Sequence, residues 1–267
     1  MSRDSVDRTI VIKVGGAVAD LDGALLGLPA LIQAGYGVTI VHGGGKEIST
    51  WMARLSLPVQ FKDGLRVTDA ASMEIAAMVL RGKVSAMLSG ALVRLGVRAV
   101  GLCGVDAGIF TARPHPDPDL GLVGEVDVVN ADLLHLLMTG GFVPVLAPIA
   151  QDSFGDLRNI NADSVCGAVA GALNAELAVF LTDVPGVRDR SSAILERVTS
   201  AQAAALIADG TICGGMLPKV RACLAALASG ARAVCIADGR DADALRPMLD
   251  GGQPRGTVVT APDLGVQ

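Results

Sequence analysis

Two lysines and two glycine runs stand where backbone and side chain together could hold an anion. In TIVIKVGGAVAD, Thr9 to Asp20, Lys13 interrupts an apolar, β-branched run that breaks on Gly15 and Gly16. An ammonium in a central strand is costly to bury unpaired, so Lys13 either snorkels to the surface or meets a fixed anion. In GGMLPKV, Lys219 follows glycines and a proline at a helix start. A cation there opposes the helix dipole, which is tolerable on a wet surface and useful if an anion sits there. GVTIVHGGGKEIS repeats the strand-then-glycine arrangement at Gly43, Gly44 and Gly45. Glycine at such junctions lets backbone N–H groups approach a phosphate, although tight turns use the same residue. GGGKE lacks the spacing and hydroxyl residue of a P-loop, and no G-x-G-x-x-G occurs, so any phosphate is held by another route.

Carboxylate and amide groups complete the set. RNINADSVCGAVAGAL puts Asn159, Asn161 and Asp163 at the start of a Gly/Ala-rich helix. One N-cap suffices for a helix, so three such side chains imply further partners, and an Asp near two lysines could hold both ammonium groups. In FKDGLRVTDAAS, Arg66 lies between a glycine turn and the expected N-cap Asp69, where its planar fork could clamp a carboxylate or simply face solvent. LTDVPGV ends a strand on Thr182 and Asp183 and then turns. His42, His115 and His135 form no triad or metal pattern and read as structural.

These residues need strand ends and helix starts to position them, and the chain supplies both. Strands are expected at TIVIKV, VTIVH, RAVGL, FVPVLA, LAVFLT and RAVCIA, with helical patterns between most of them. The fold expected is α/β: a three-layer α/β/α sandwich with a mainly parallel central sheet. Ligands in such folds sit where strands end and helices begin. Helices are expected to stop at Gly35, Gly96, Gly140, Gly210 and Gly230. From Phe110 to Val129, three prolines and a two-residue alternation suggest a loop and a β-hairpin, and AQDSFGDLRNINAD reads similarly. Insertions of this kind often cover a ligand.

Composition narrows the function classes. Of 267 residues, 51% are apolar but only 3% aromatic, so Ala, Val and Leu must build the core. A net charge of -5 offers no footprint for nucleic acid or an anionic membrane. Five cysteines without a C-x-x-C pair suit neither a zinc site nor a disulfide framework. No signal peptide and no apolar run of about 20 residues is expected, which points to a cytoplasmic protein.

In one order over nearly the whole chain, KVGG, HGGGKEI, GLRVTD, NINAD, LTDVPG and GGMLPK resemble the amino acid kinase family. GLRVTD with N-x-N-A-D is the most specific part, and it is similar to the branch acting on N-acetyl-L-glutamate. The resemblance implies ATP-dependent phosphorylation of that γ-carboxylate, in arginine biosynthesis. It implies Lys13 and Lys219 as catalytic lysines organised by Asp163, and Gly15, Gly16, Gly44 and Gly45 as backbone donors along the phosphoryl path. Gly44, Gly45, Arg66, Asn159 and Asn161 would meet the acceptor, Arg66 gripping its α-carboxylate. Thr182, Asp183, Val184, Pro185, Gly186, Val187 and Arg188, with Thr211, Ile212 and Cys213, would border the nucleotide. Mg²⁺ would arrive with ATP, held mainly by its phosphates, with no protein metal site. Residues 9–173 would form the acceptor-binding lobe and 174–260 the nucleotide-binding lobe. Arginine-inhibited relatives usually carry a longer N-terminal helix, so an arginine-insensitive homodimer is expected. The rivals are a kinase for a carrier-linked aminoadipate or glutamate, and a non-catalytic amino-acid sensor.

Overall fold

A computed structural model describes residues 8–15 and 23–262. Its main sheet has eight strands in the order β12-β14-β13-β11-β1-β2-β8-β5. These are β1 (Arg8–Val14), β2 (Tyr36–His42), β5 (Ala99–Cys103), β8 (Val143–Ala147), β11 (Leu177–Thr182), β12 (Arg197–Thr199), β13 (Ala233–Asp238) and β14 (Thr257–Thr260). All pairs are parallel except β13 with β14. The six expected strands are all in this sheet, whereas β12 and β14, only three and four residues long, escaped the reading.

Period-two alternation explains the layers. On one face Ile10, Ile12, Val38, Ile40, Val179 and Cys235 pack with Leu28 and Leu31 of α1 (Leu28–Gln33) and with Leu88 and Leu92 of α4 (Ser85–Arg94). On the other, Val11, Val41, Phe180 and Ile236 meet α5 (Asp132–Thr139), α6 (Ala162–Ala172), α7 (Ser200–Ala208) and α8 (Met216–Ala228). This is the three-layer sandwich. Lys13 falls in the Val11 row and so faces α6.

Both polar insertions form hairpins: β6 (Phe110–Pro114) pairs antiparallel with β7 (Val123–Val129), and β9 (Ile149–Gln151) with β10 (Leu157–Ile160). Parallel pairing of β7 with β10 joins them into a four-stranded sheet. A third hairpin, β3 (Phe61–Lys62) and β4 (Leu65–Arg66), turns through Asp63 and Gly64, both at positive φ. Asp-Gly is the pair that a two-residue hairpin turn favours.

One helix cap differs from expectation. Gly140 caps its helix with right-handed angles, and the left-handed residue is Gly141 at φ 75°; the neighbouring glycine takes the strained position. The stretch Ala70–Arg94 is one 25-residue helix whose most apolar 18-residue window has a mean hydropathy of 1.4, long and apolar enough by those measures to cross a membrane, with 44% of that window buried in the protein. Its residues Val79, Leu80, Val84, Leu88 and Leu92 are packed in the cores. Between α3 (Ala70–Ala77) and α4 the helix widens to π geometry over Met78–Val84. Its Leu80 and Val84 close over Gly44, where a Cβ would come within 2.5 Å of Leu80 Cδ2.

Candidate active site

A cavity of about 280 Å³ opens at the C-terminal ends of β1 and β2. It brings together Lys13, Gly15, Gly44, Gly45, Arg66, Asn159, Asn161 and Asp163, eight of the residues singled out from sequence. Gly16 lies outside the described residues. The placement follows from the topology: β1 delivers Lys13, the turn after β2 delivers the glycines, and β10 with the start of α6 delivers Asn159 to Asp163.

Lys13 Nζ lies 3.0 Å from Asp163 Oδ1, an ion pair whose partners are about one-fifth exposed. The Lys13 side chain folds back along its own strand end, since a Cβ on Gly15 would come within 2.7 Å of Nζ. A side chain at this position would displace the ammonium from its place beside Asp163. Asn161 caps α6, accepting the Asp163 N–H at 2.7 Å, and so fixes the turn that carries the carboxylate. The glycine loop is held from beneath: His42 is fully buried, and its Nδ1 donates to the Gly43 carbonyl at 2.8 Å. Burial lowers its pKa to about 4, so the ring is neutral and structural, as expected.

Arg66 is 6% exposed. Its guanidinium donates to the Gly45 carbonyl and to Ser49 Oγ, both at 2.8 Å, and lies 4.8 Å from the Phe61 ring centroid. Burial pushes its pKa below the ordinary arginine value. Among the described residues no carboxylate pairs with it, so a buried cation beside the cavity is held by neutral groups alone. Such a group binds an incoming carboxylate well, because its desolvation has already occurred and its fork geometry is set. Ser49 and Phe61 were missed in the sequence. Phe61 had a signal, an aromatic two residues before the Asp-Gly turn, whereas Ser49 had none.

Lys219 is not on Asp163. Its Nζ pairs with Asp183 Oδ1 at 3.1 Å and reaches the Gly215 carbonyl at 3.4 Å. Lys219 lies in the first turn of α8, beside the exit of β11 where Asp183 sits, so Asp183 is the carboxylate it meets and Asp163 holds Lys13 alone. The Lys219 bond, helped by the Thr182 hydroxyl, holds the Asp183 carboxyl below its usual pKa.

The remaining predicted residues that the structure describes do not line the 280 Å³ cavity. Thr182 ends β11, and Val184, Pro185 and Gly186 turn away from it. Val187 and Ile212 are buried among the core side chains. Arg188 bonds the Ser192 carbonyl, Thr211 accepts from Arg190, and Cys213 is exposed. Among the described residues, no three His, Cys, Asp or Glu side chains converge as metal ligands.

A mainly parallel sheet with Lys13 at one strand end, Lys219 at the helix start beside another, and glycines and a buried arginine around the cavity is an α/β arrangement suited to holding anions. The chain belongs to the amino acid kinase family, whose model matches residues 8–238. Among curated relatives, the acetylglutamate kinase of Gloeobacter violaceus is 42% identical over 270 residues, covering 96% of this chain and 88% of that one. The acetylglutamate kinase of Prochlorococcus marinus is 45% identical over 245 residues, covering 89% and 80%. Among solved structures, smu.665 from Streptococcus mutans UA159 superposes with a TM-score of 0.79 at 32% identity, covering 95% of this chain and 98% of that one.

Proposed function

We propose that this chain transfers the γ-phosphoryl group of ATP to the γ-carboxylate of N-acetyl-L-glutamate, giving N-acetyl-L-glutamyl 5-phosphate and ADP, a step of arginine biosynthesis. The observation that carries the reading is Arg66: a buried guanidinium without a carboxylate partner among the described residues, in the wall of the cavity that Lys13 and Asp163 also line. The acceptor's α-carboxylate pairs with Arg66, with Asn159 beside it. Its γ-carboxylate then lies toward Gly15, Gly44, Gly45 and Lys13.

A γ-carboxylate has a reference pKa of about 4.3 and is already an ionised nucleophile near neutrality. One of its oxygens attacks the γ-phosphorus, the bond to the β,γ-bridging oxygen breaks, and ADP leaves without any proton transfer. Catalysis is therefore alignment and charge neutralisation. Lys13, fixed by Asp163, supplies one positive charge. Lys219 supplies the other: its pair with an Asp183 that is 76% exposed is worth under about 1 kcal/mol, so exchanging that carboxylate for a phosphoryl oxygen costs little. Mg²⁺ neutralises phosphate charge when it enters with ATP, held mainly by the phosphates. The nucleotide lies against residues 182–188 and 211–213, in a C-terminal lobe of residues 174–260, with residues 9–173 forming the acceptor lobe.

The same reading makes the chain a cytoplasmic homodimer. Exposed Met78, Met87 and Val93 along the Ala70–Arg94 helix support self-association. Sedimentation with and without arginine is expected to give one dimer boundary, and a hexamer in either condition counts against it. The function is tested by coupled detection of ADP release with N-acetylglutamate, aminoadipate and glutamate in parallel. Release dependent on N-acetylglutamate alone is expected. Preference for aminoadipate would favour the carrier-linked branch, and no release with any acceptor would favour a sensor.

A further inference from the structure

Thr68 has no place in the machinery described so far, yet it is completely buried and every polar atom it has is engaged. Its hydroxyl donates to the Arg66 carbonyl at 2.8 Å. That donation spends the only hydroxyl proton, so at the second contact, 3.2 Å from Asn159 Nδ2, the oxygen can only accept. One hydroxyl thus joins the chain positions that bear the guanidinium and the amide of the acceptor cavity, 93 residues apart in sequence and on different hairpins. It also settles the orientation of the Asn159 amide: one N–H is committed to Thr68, leaving the other N–H and the carbonyl oxygen for the cavity.

The Thr68 backbone is clamped as well. Its N–H donates to the Leu120 carbonyl at 3.0 Å and its carbonyl accepts from the Leu122 N–H at 2.7 Å. Between those two residues Gly121 adopts φ 66°, and a Cβ there would lie 2.5 Å from the Thr68 carbonyl oxygen. This gives RPHPDPDLG a task. The same segment is tied to β3 by Lys62, which bridges Asp117 at 2.7 Å and Asp119 at 2.6 Å, so Asp117–Leu122 is held both by the β3–β4 hairpin and by Thr68 just beyond it.

We infer that Thr68 is a positioning residue for acceptor recognition: through its hydroxyl it sets the relative placement of Arg66 and Asn159, and the segment Asp117–Leu122 holds it there. The inference rests on the proposed function. Replacing the hydroxyl by a methyl leaves the Arg66 carbonyl and the Asn159 amide short of a partner inside the protein, which lets both shift. The loss falls on the acceptor and not on the nucleotide.

The test is steady-state kinetics of wild type, Thr68→Val, Thr68→Ala and Thr68→Ser, each checked by thermal denaturation. Thr68→Val is expected to raise the KM for N-acetylglutamate about tenfold, with the KM for ATP within about twofold, and Thr68→Ser, which keeps the hydroxyl, is expected to restore the wild-type value. An N-acetylglutamate KM unchanged in a folded Thr68→Val, or an equal rise in both KM values, overturns the inference. Unfolding of both Thr68→Val and Thr68→Ala beside a normal Thr68→Ser would make the hydroxyl a stability element only, and also overturns it. A wild-type chain that releases no ADP on N-acetylglutamate overturns the functional reading itself, and this inference with it.

Discussion

In the mechanism proposed above, individual side chains divide the work between holding the acceptor and stabilising the transferring group, and kinetics separates the two. Lys219→Ala is expected to lower kcat about 100-fold with the N-acetylglutamate KM little changed, because its charge is needed where phosphoryl charge redistributes. Weaker acceptor binding with unchanged turnover would contradict that role. Arg66→Ala should do the reverse, raising the KM for N-acetylglutamate on the order of 100-fold, the scale of a charge-assisted bond lost from a buried site. An unaffected constant would show that Arg66 does not bind the acceptor. Much of this was legible in the sequence, because an ammonium in an apolar strand or an arginine beside an Asp-Gly turn is anomalous locally. The partner of Lys219 was not: which carboxylate a first-turn lysine meets depends on how α8 sits against the end of β11, and no local pattern encodes that.

At the level of elements, the β9–β10 hairpin presents Asn159 and is locked from within. Asp152 is buried, and its carboxylate meets Arg158 at 2.6 Å while accepting the Phe154 and Asp156 N–H groups. Burial alone would raise its pKa, but the Arg158 bond and the two N–H bonds outweigh that and hold it below the ordinary 3.8. The pair therefore contributes stability above about pH 4, where the unfolded chain's carboxyl is also ionised, and the contribution fades as pH falls through the depressed folded value. Asp152→Ala is expected to cost about 3 kcal/mol at neutral pH, since it leaves a buried guanidinium without its partner. Denaturant titrations at pH 7 and pH 3 check this: the gap between wild type and variant should narrow in acid, and a constant gap would refute the linkage. Existence of both hairpins could be read from alternation and prolines. Their union through β7 and β10 could not, because pairing between segments far apart in sequence leaves no local mark.

Across the whole molecule, the distance between the two lysines depends on how closely α6 and α8 approach. Gly167 of α6 lies against Ala226 of α8, where a Cβ would come within 2.5 Å of the Ala226 Cα, and Gly171 lies against Gly230. Small residues on α6 and at the end of α8 let the backbones touch, which sets how α8, with Lys219, packs beside α6, with Asp163. Gly167→Val is expected to push the helices apart, destabilising by about 2 kcal/mol and lowering kcat more than either KM. Full turnover in a folded Gly167→Val would show that this spacing does not matter. The small-residue pattern is plain in CGAVAGAL and LAALASG, but helix amphipathicity alone gave no reason to pair those two helices.

In the reaction, the γ-carboxylate of N-acetylglutamate becomes an acyl phosphate. Acyl phosphates react with hydroxylamine to give hydroxamates, so incubation with ATP, Mg²⁺, hydroxylamine and each acceptor in turn reads the product directly by mass spectrometry. Formation of the γ-hydroxamate of N-acetylglutamate, dependent on ATP and abolished in Lys13→Ala, is the predicted result. ATP consumption without any hydroxamate, or hydroxamate formed from aminoadipate in preference to N-acetylglutamate, would contradict the account.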